Sequence, residues 1–114
     1  MVDPRYAVSW TEEALRDLDE NLAYVSVDSL EAAERVLASL ERRALSLERS
    51  PERGRVVPEL AQLGVRASRE TVVAPYRIVY RTHERTVMVL AIVDGRRDLE
   101  DILFDRLIRR DDKV

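Results

Sequence analysis

The sequence predicts a single α+β domain with the element order β-α-α-β-β-β-α, in which a helical hairpin packs on a small antiparallel sheet. Two patterns predict it: apolar residues recur at helical spacing over about 12–47, and they alternate or run unbroken over 69–93. The length of 114 residues, 46% of them apolar, suits one domain with one modest core. We therefore assign 1–114 to one domain, with a C-terminal helix and tail over 98–114.

The first half is expected to hold a short strand and two helices. Large and small side chains alternate over 6–10, which indicates a strand. A helix follows over about 12–25 with Thr11 as its N-cap, and no helix-favouring pattern links it to the next helix. Asp28 with Glu31 resembles a capping box for this second helix. Its apolar stripe comprises Leu30, Ala33, Leu37, Leu40, Ala44 and Leu47, so the two helices should fold back as a hairpin.

The second half is expected to form three antiparallel strands and a final helix. Pro and Gly within 50–55 end the second helix, and a largely polar loop follows. The strands are predicted at 69–73, 76–81 and 87–93, joined by a turn at 74–75 and a hairpin at 81–86. Asp98 caps the last helix, the only element offered for the sheet's other face. An unfilled groove on that face is a candidate partner site.

Composition favours a cytoplasmic protein without metal or cofactor. There is no cysteine, which excludes disulfides and thiolate metal sites and fits a reducing compartment. No apolar run approaches the roughly 20 residues of a membrane helix, and the N-terminus lacks a signal-peptide pattern. The net charge of −3 argues against strong non-specific nucleic-acid binding. Residues 51–97 are nevertheless basic, with nine arginines and five acids, and Arg suits bidentate recognition of carboxylate or phosphate.

The candidate binding residues are clustered in this basic segment: Arg69, Tyr76, Arg77, Arg81, Arg96 and Arg97. Arg77, Val79 and Arg81 share one face of a predicted strand, on which successive side chains lie about 7 Å apart. Two interpretations are open. The guanidinium groups converge at one sheet edge to bind a phosphate or a partner's carboxylates. Alternatively, Arg77 and Arg97 are salt-bridged to nearby acids, namely Glu70, Asp94 or Asp98, and hold the sheet to its loops.

A series of short motifs resembles the RelE/ParE toxin superfamily, the toxins of type II toxin–antitoxin modules of the plasmid-stabilisation type. In order, the motifs are Val8-Ser9-Trp10-Thr11-Glu12-Glu13-Ala14, Pro51-Glu52-Arg53-Gly54-Arg55, Val57-Pro58-Glu59-Leu60, Arg69-Glu70, Pro75-Tyr76-Arg77-Ile78-Val79-Tyr80-Arg81 and Gly95-Arg96-Arg97-Asp98. The resemblance covers at least residues 5–99. It implies a growth-inhibiting toxin with the family's fold, whose element order matches the one predicted above.

The resemblance leaves two molecular functions. RelE-like members resemble ribosome-dependent mRNA endonucleases, which need an acid, a base and a cationic stabiliser; Arg77 and Arg96 would be the phosphate contacts. The expected Tyr or His just after the turn at 95–97 is missing, and His83, the only histidine, falls in a predicted hairpin tip. ParE-like members resemble inhibitors of DNA gyrase that act by protein contact without catalytic residues. The incomplete acid–base set favours the ParE-like alternative.

The resemblance also implies partners. The expected partner is a cognate ParD-like antitoxin, a DNA-binding dimer with a flexible acidic arm. The arm would wrap the toxin, and the toxin would reach operator DNA only through the antitoxin. Its acids would meet Arg77, Arg81, Arg96 and Arg97. The target would be DNA gyrase or, alternatively, the ribosome and mRNA; a degenerate module that only binds antitoxin is a third alternative. Arg77→Ala or Arg96→Ala should then weaken toxicity or antitoxin binding without unfolding the domain.

Overall fold

A five-stranded sheet carries a helical hairpin on one face in the computed structural model, which describes residues 5–96 together with Ile102 and Arg106. The strands are β1 Ala7–Trp10, β2 Arg55–Val56, β3 Arg69–Val73, β4 Tyr76–His83 and β5 Thr86–Asp94, in the order β1-β5-β4-β3-β2. The helices are α1 Glu12–Asp28, α2 Leu30–Ser46 and α3 Pro58–Ala61, with a 3₁₀ turn at Pro51–Arg53. The predicted α+β class is confirmed. Among the described residues, no helix is both long enough and apolar enough to span a membrane.

The sheet is mixed, which corrects the expectation of a wholly antiparallel one. β2, β3, β4 and β5 pair antiparallel in turn, but β1 runs parallel to β5, with Ala7 opposite Thr86 and Trp10 opposite Val89. The alternation that predicts a strand carries no information on its direction. The partners of β1 are distant in sequence, so no tight turn sets the direction of this pair.

The helical hairpin differs from its prediction at the link. α1 continues to Asp28, and Ser29 caps α2 in place of the predicted Asp28: its hydroxyl accepts from the Ala32 N–H at 3.1 Å. The extended backbone of Ser29, with φ −161° and ψ 118°, is what breaks the helix. The buried stripe of α2 consequently starts at Ala33, and Leu30 at the tip is 66% exposed.

Apolar side chains cover both faces of the sheet. On the hairpin face, buried residues of α1 and α2 pack against β4 and β5; they are Ala14, Leu18, Leu40, Ala44, Tyr76, Ile78, Val89 and Ile92. On the other face, Val57 and Leu60 pack against Val79, Leu90, Ala91 and Val93. The expectation that only the final helix meets this second face is therefore wrong, because α3 and its flanks cover it. The predicted helix after Asp98 lies outside the described residues apart from Ile102 and Arg106, which are helical.

Side chains of α1 hydrogen-bond to the backbone groups of β5 that lie beyond the end of β1. β1 pairs with β5 only as far as Val89. Beyond that point the Ile92 N–H donates to the Asp17 carboxylate at 3.1 Å, and the Asn21 amide donates to the Ile92 carbonyl at 3.4 Å. Arg106 donates to the same Asp17 carboxylate at 2.6 Å. Asp17 thus replaces a missing strand at a backbone group that would otherwise be unpaired.

We expect Asp17→Ala to lower the free energy of unfolding by about 1–3 kcal/mol, the cost of leaving a buried hydrogen-bonding group unpaired. The Ile92 amide should exchange with deuterium faster, because it loses its acceptor. Asp19→Ala is the matched control, since Asp19 is exposed on the same helix. Equal exchange of the Ile92 amide in the two variants would refute the edge role of Asp17.

Candidate functional site: the arginines of the sheet

Arg77 lies on the face of β4 opposite the helical hairpin and holds two carboxylates. Its Nε donates to Glu70 Oε1 at 2.7 Å, and its Nη1 and Nη2 donate to the two oxygens of Glu59, each at 2.8 Å. Only 11% of the side chain is exposed. Both sides of the guanidinium fork are therefore occupied from within the chain, in the bidentate geometry that makes such bonds strong.

Glu70 links the same arrangement to the edge of the sheet. It lies on β3 directly opposite Arg55 of β2, whose Nε donates to Glu70 Oε2 at 2.7 Å. The Glu70 side chain is fully buried. Among the contacts described for it, the guanidinium groups of Arg55 and Arg77 are the two that compensate its charge. Pro58 starts α3 and sets Glu59 in its first turn, within reach of Arg77. Arg55, Glu59, Glu70 and Arg77, here the arginine–glutamate clamp, thus tie β2, β3, β4 and α3 together.

The clamp makes stability depend on acid pH through Glu59. Burial alone raises the pKa of Glu59. The side-chain hydrogen bonds from Arg77, then the hydrogen bond from the Glu59 N–H, then the charges of Arg77 and Arg55 outweigh it and lower the pKa below its ordinary 4.5. A carboxyl with a depressed folded-state pKa contributes stability above about 4.5, and this contribution is lost as pH falls through the folded-state pKa.

We therefore expect the free energy of unfolding to fall as pH drops from about 5 to below 4, and Glu59→Gln to flatten part of that decline. Urea titrations at a series of pH values measure it. Glu52→Gln, at an exposed carboxylate outside the clamp, is the matched control. An unchanged pH slope in Glu59→Gln would contradict the assignment.

Two further predicted site residues also bond within the chain. Arg69 pairs with Tyr80 across β3 and β4 and so lies on the hairpin face, where its Nη1 donates to the Gly54 carbonyl at 2.8 Å. Arg81 lies on the opposite face, with Arg77, and its Nε donates to Ser68 Oγ at 2.9 Å. The expected convergence of these guanidinium groups is therefore not observed. They occupy two faces of the sheet and hold separate partners.

The remaining predicted site residues differ in accessibility. Tyr76 is 5% exposed and packs under the helical hairpin. Arg96 follows β5 and is 68% exposed; its Nε and Nη2 donate to the two oxygens of Asp94 at 2.9 and 2.6 Å. Arg97 lies outside the described residues. Of the five described members of the predicted set, Arg96 is the one that lies openly at the surface.

Two recesses beside the helical hairpin were not predicted. The first, about 560 Å³, runs between the open edge of β1 and the two helices, and we call it the hairpin groove; its lining is Val8, Ser9, Trp10, Leu15, Leu18, Glu41 and Leu45. The second, about 550 Å³, shares Leu45 and is lined by Arg42, Arg49 and Arg53 with Ser46, Glu48 and Ser50; we call it the basic recess. Leu15 and Leu45 are 47% and 58% exposed. An apolar groove adjoining exposed arginines fits an acidic, amphipathic segment.

Sequence reasoning missed the carboxylate that matters most to Arg77. Glu59 belongs to the motif Val57-Pro58-Glu59-Leu60, but the segment was expected to be a polar loop. The Pro-Glu pair was the available signal, since Pro is favoured at the first helical position and an acid in the first turn.

Comparison with known proteins agrees with this fold. A family model described as "ParE toxin of type II toxin-antitoxin system, parDE" matches residues 8–99. A protein of Sinorhizobium fredii named "Putative toxin Y4kP" is 34% identical over 101 residues, covering 87% of this chain and 98% of that protein. The chain therefore belongs to the ParE toxin family, and it is the toxin component of a type II toxin–antitoxin system.

Two solved structures share the fold. One is described as the chromosomal ParDE toxin–antitoxin system from P. aeruginosa, with a TM-score of 0.67 and 20% identity over 81% of this chain and 98% of that one. The other is the toxin–antitoxin complex RelBE2 from Mycobacterium tuberculosis, with a TM-score of 0.58 and 26% identity over 79% of this chain and 91% of that one. The predicted RelE/ParE superfamily is confirmed.

Proposed function

We propose that this toxin acts in the cytoplasm by binding DNA gyrase through protein–protein contact, and that a cognate ParD-like antitoxin neutralises it. The observation that carries the proposal is the state of Arg77, whose guanidinium is held by Glu59 and Glu70. A ribonuclease would need this arginine to stabilise a phosphorane, so the clamp would first have to open. A toxin that acts by contact needs no such group.

The positions of the histidine and tyrosines support the same proposal. His83 is 90% exposed at the β4–β5 turn. Tyr76 points to the hairpin face, away from Arg77, and the buried Tyr80 hydroxyl donates to the Pro51 carbonyl at 2.5 Å. Tyr6 stacks under Arg85 on β1's side of the sheet. None of His83, Tyr6, Tyr76 and Tyr80 therefore stands beside Arg77 as the acid or base that RNA cleavage requires.

We propose that the antitoxin docks an acidic, amphipathic arm in the hairpin groove. Exposed Leu15 and Leu45 with half-buried Trp10 would receive its apolar side chains. Arg42 and Arg49 of the adjoining basic recess would meet its acids. Arg77 and Arg81, bonded within the chain, are less suited to this role than the sequence suggested, whereas Arg96 stays a proposed partner contact because of its exposure. Operator DNA would be contacted through the antitoxin.

We expect Leu45→Asp to weaken antitoxin binding at least about tenfold, because it places a negative charge at the apolar side chain that lines both the hairpin groove and the basic recess. Titration calorimetry against the purified antitoxin measures it. Leu63→Asp is the matched control, since Leu63 is 51% exposed two residues beyond α3, away from the groove. Equal affinities for the two variants would show that the antitoxin docks elsewhere.

Controlled expression in bacteria, with and without the neighbouring antitoxin gene, tests the proposed function. Growth arrest with filamentation, DNA damage and intact transcripts is expected, and co-expression of the antitoxin should relieve it. Arrest with new transcript ends inside codons would replace the gyrase proposal with ribosome-dependent mRNA cleavage. Absence of arrest would indicate a module that only binds antitoxin.

A further inference from the structure

An uncovered apolar surface marks the closed end of the helical hairpin. Tyr24, Val27 and Leu30 are 77%, 83% and 66% exposed, the largest exposures among the big apolar side chains of the described residues. Tyr24 and Val27 lie one helical turn apart on α1, and Leu30 opens α2 directly after Ser29. We call these three residues the hairpin tip. Leu30 continues the apolar stripe of α2 beyond the point where the protein's own core ends.

A groove with an excess of negative charge begins at this tip. It has a volume of about 930 Å³, is lined by α1, the end of β5 and the helical residues Ile102 and Arg106, and has Tyr24 in its wall. Its lining includes two arginines, but each is already paired with an acid of the same groove: Arg106 with Asp17 and Arg96 with Asp94.

Two further acids of the lining, Glu20 and Asp28, have no ion-pair partner among the described residues. Both are exposed on α1. The described lining of the groove, with four acids and two arginines, therefore has an excess of two negative charges next to an apolar tip. Such a surface repels an acidic segment and attracts a basic one.

We propose that the hairpin tip and this acidic groove together form the docking surface for a basic segment of the toxin's target protein. Its apolar side chains pack on Tyr24, Val27 and Leu30, and its Lys or Arg side chains meet Glu20 and Asp28. The inference rests on the proposed function, a toxin that acts by protein contact, and adds the surface and the partner's charge. The opposite charges of the two surfaces distinguish two partners. The acidic antitoxin arm fits the basic recess on α2, and the target's basic segment fits the acidic groove on α1.

The experiment compares two double variants with matched controls in a growth-arrest assay with graded expression. Tyr24→Ser with Val27→Ser removes the apolar tip, and Leu63→Ser with Val72→Ser is its control, at residues 51% and 44% exposed elsewhere. Glu20→Lys with Asp28→Lys reverses the groove's charge. Glu52→Lys with Glu84→Lys makes the same charge change at distant exposed sites. All proteins are also titrated against purified antitoxin. Binding at wild-type affinity shows that the variant is folded and that the hairpin groove and basic recess are intact.

We expect both tip and groove variants to need at least about tenfold more toxin for arrest while binding antitoxin with wild-type affinity, and both controls to behave like the wild type. Arrest at wild-type levels by the tip and groove variants would overturn the docking surface and leave the proposed function standing. Loss of antitoxin binding along with arrest would also overturn it, because the residues would then act on the fold. A wild-type chain that causes no arrest would overturn the proposed function itself.

Discussion

Arg77→Ala is expected to lower the free energy of unfolding by about 3–5 kcal/mol, the cost of removing one member of a buried ion pair. The change leaves the fully buried Glu70 with Arg55 as its remaining cation, and it leaves Glu59 without its bidentate partner. Because domains of this size are stable by only about 5–15 kcal/mol, this loss is a large share of the free energy of unfolding and should lower the denaturation midpoint strongly.

Arg96→Ala is the matched control for Arg77→Ala. Arg96 bonds Asp94 at the open surface, so its loss should leave the denaturation midpoint unchanged. Chemical denaturation followed by circular dichroism distinguishes the two. The sequence-based expectation that both variants keep the fold is thus revised for Arg77 alone. Equal midpoints for Arg77→Ala and the wild type would show that the clamp contributes nothing to stability.

Gly54→Ala is the second substitution with a large expected effect, about 3 kcal/mol, at the upper end of the cost of overpacking. A Cβ at residue 54 would fall 2.5 Å from the Glu70 carbonyl oxygen and would overlap the Tyr80 hydroxyl. The Gly54 N–H donates to that hydroxyl at 3.0 Å, and the Gly54 carbonyl accepts from Arg69. The backbone would have to move away from β3, which breaks both bonds and disturbs the clamp at Glu70.

Gly64→Ala separates this steric effect from a general intolerance of glycine replacement. Gly64 has a φ of +83°, and a Cβ added there would meet no atom within 4 Å, so only the backbone preference of alanine opposes the change. The expected cost is about 1 kcal/mol. Thermal unfolding of both variants measures the contrast. Similar stabilities for Gly54→Ala and Gly64→Ala would contradict the close packing of Gly54 against Tyr80.

The strands were predictable where local pattern and burial agree. β3 lies at Arg69–Val73 as expected, and β5 extends the predicted 87–93 by one residue at each end. An unbroken apolar run indicates a central strand because both of its faces must be covered, which the structure confirms with α1 and α3. The four-residue helix α3 was missed, because so short a helix has no periodicity to detect.

The candidate site was only partly predictable. The sequence identified Arg77 and Glu70 as possible partners but left ligand binding and salt bridging as open alternatives. The choice depends on Glu59, which lies 18 residues from Arg77 in sequence and reaches it only through the tertiary fold. The resemblance to toxins was readable from the motifs, since they follow in order along most of the chain, and the family comparison confirms it. The exposed hairpin tip was not readable, because Leu30 has the same spacing as the buried members of its stripe.

The most direct test of the central claim is a supercoiling assay in which the purified chain is added to DNA gyrase, with and without its antitoxin. We predict that the toxin inhibits supercoiling and that equimolar antitoxin restores it. Tyr24→Ser with Val27→Ser, at exposed positions of the hairpin tip, then tests whether gyrase contacts that surface. Gyrase that works unimpaired, while programmed ribosomes yield mRNA cut within codons, would contradict the proposed function and assign the toxin to mRNA cleavage.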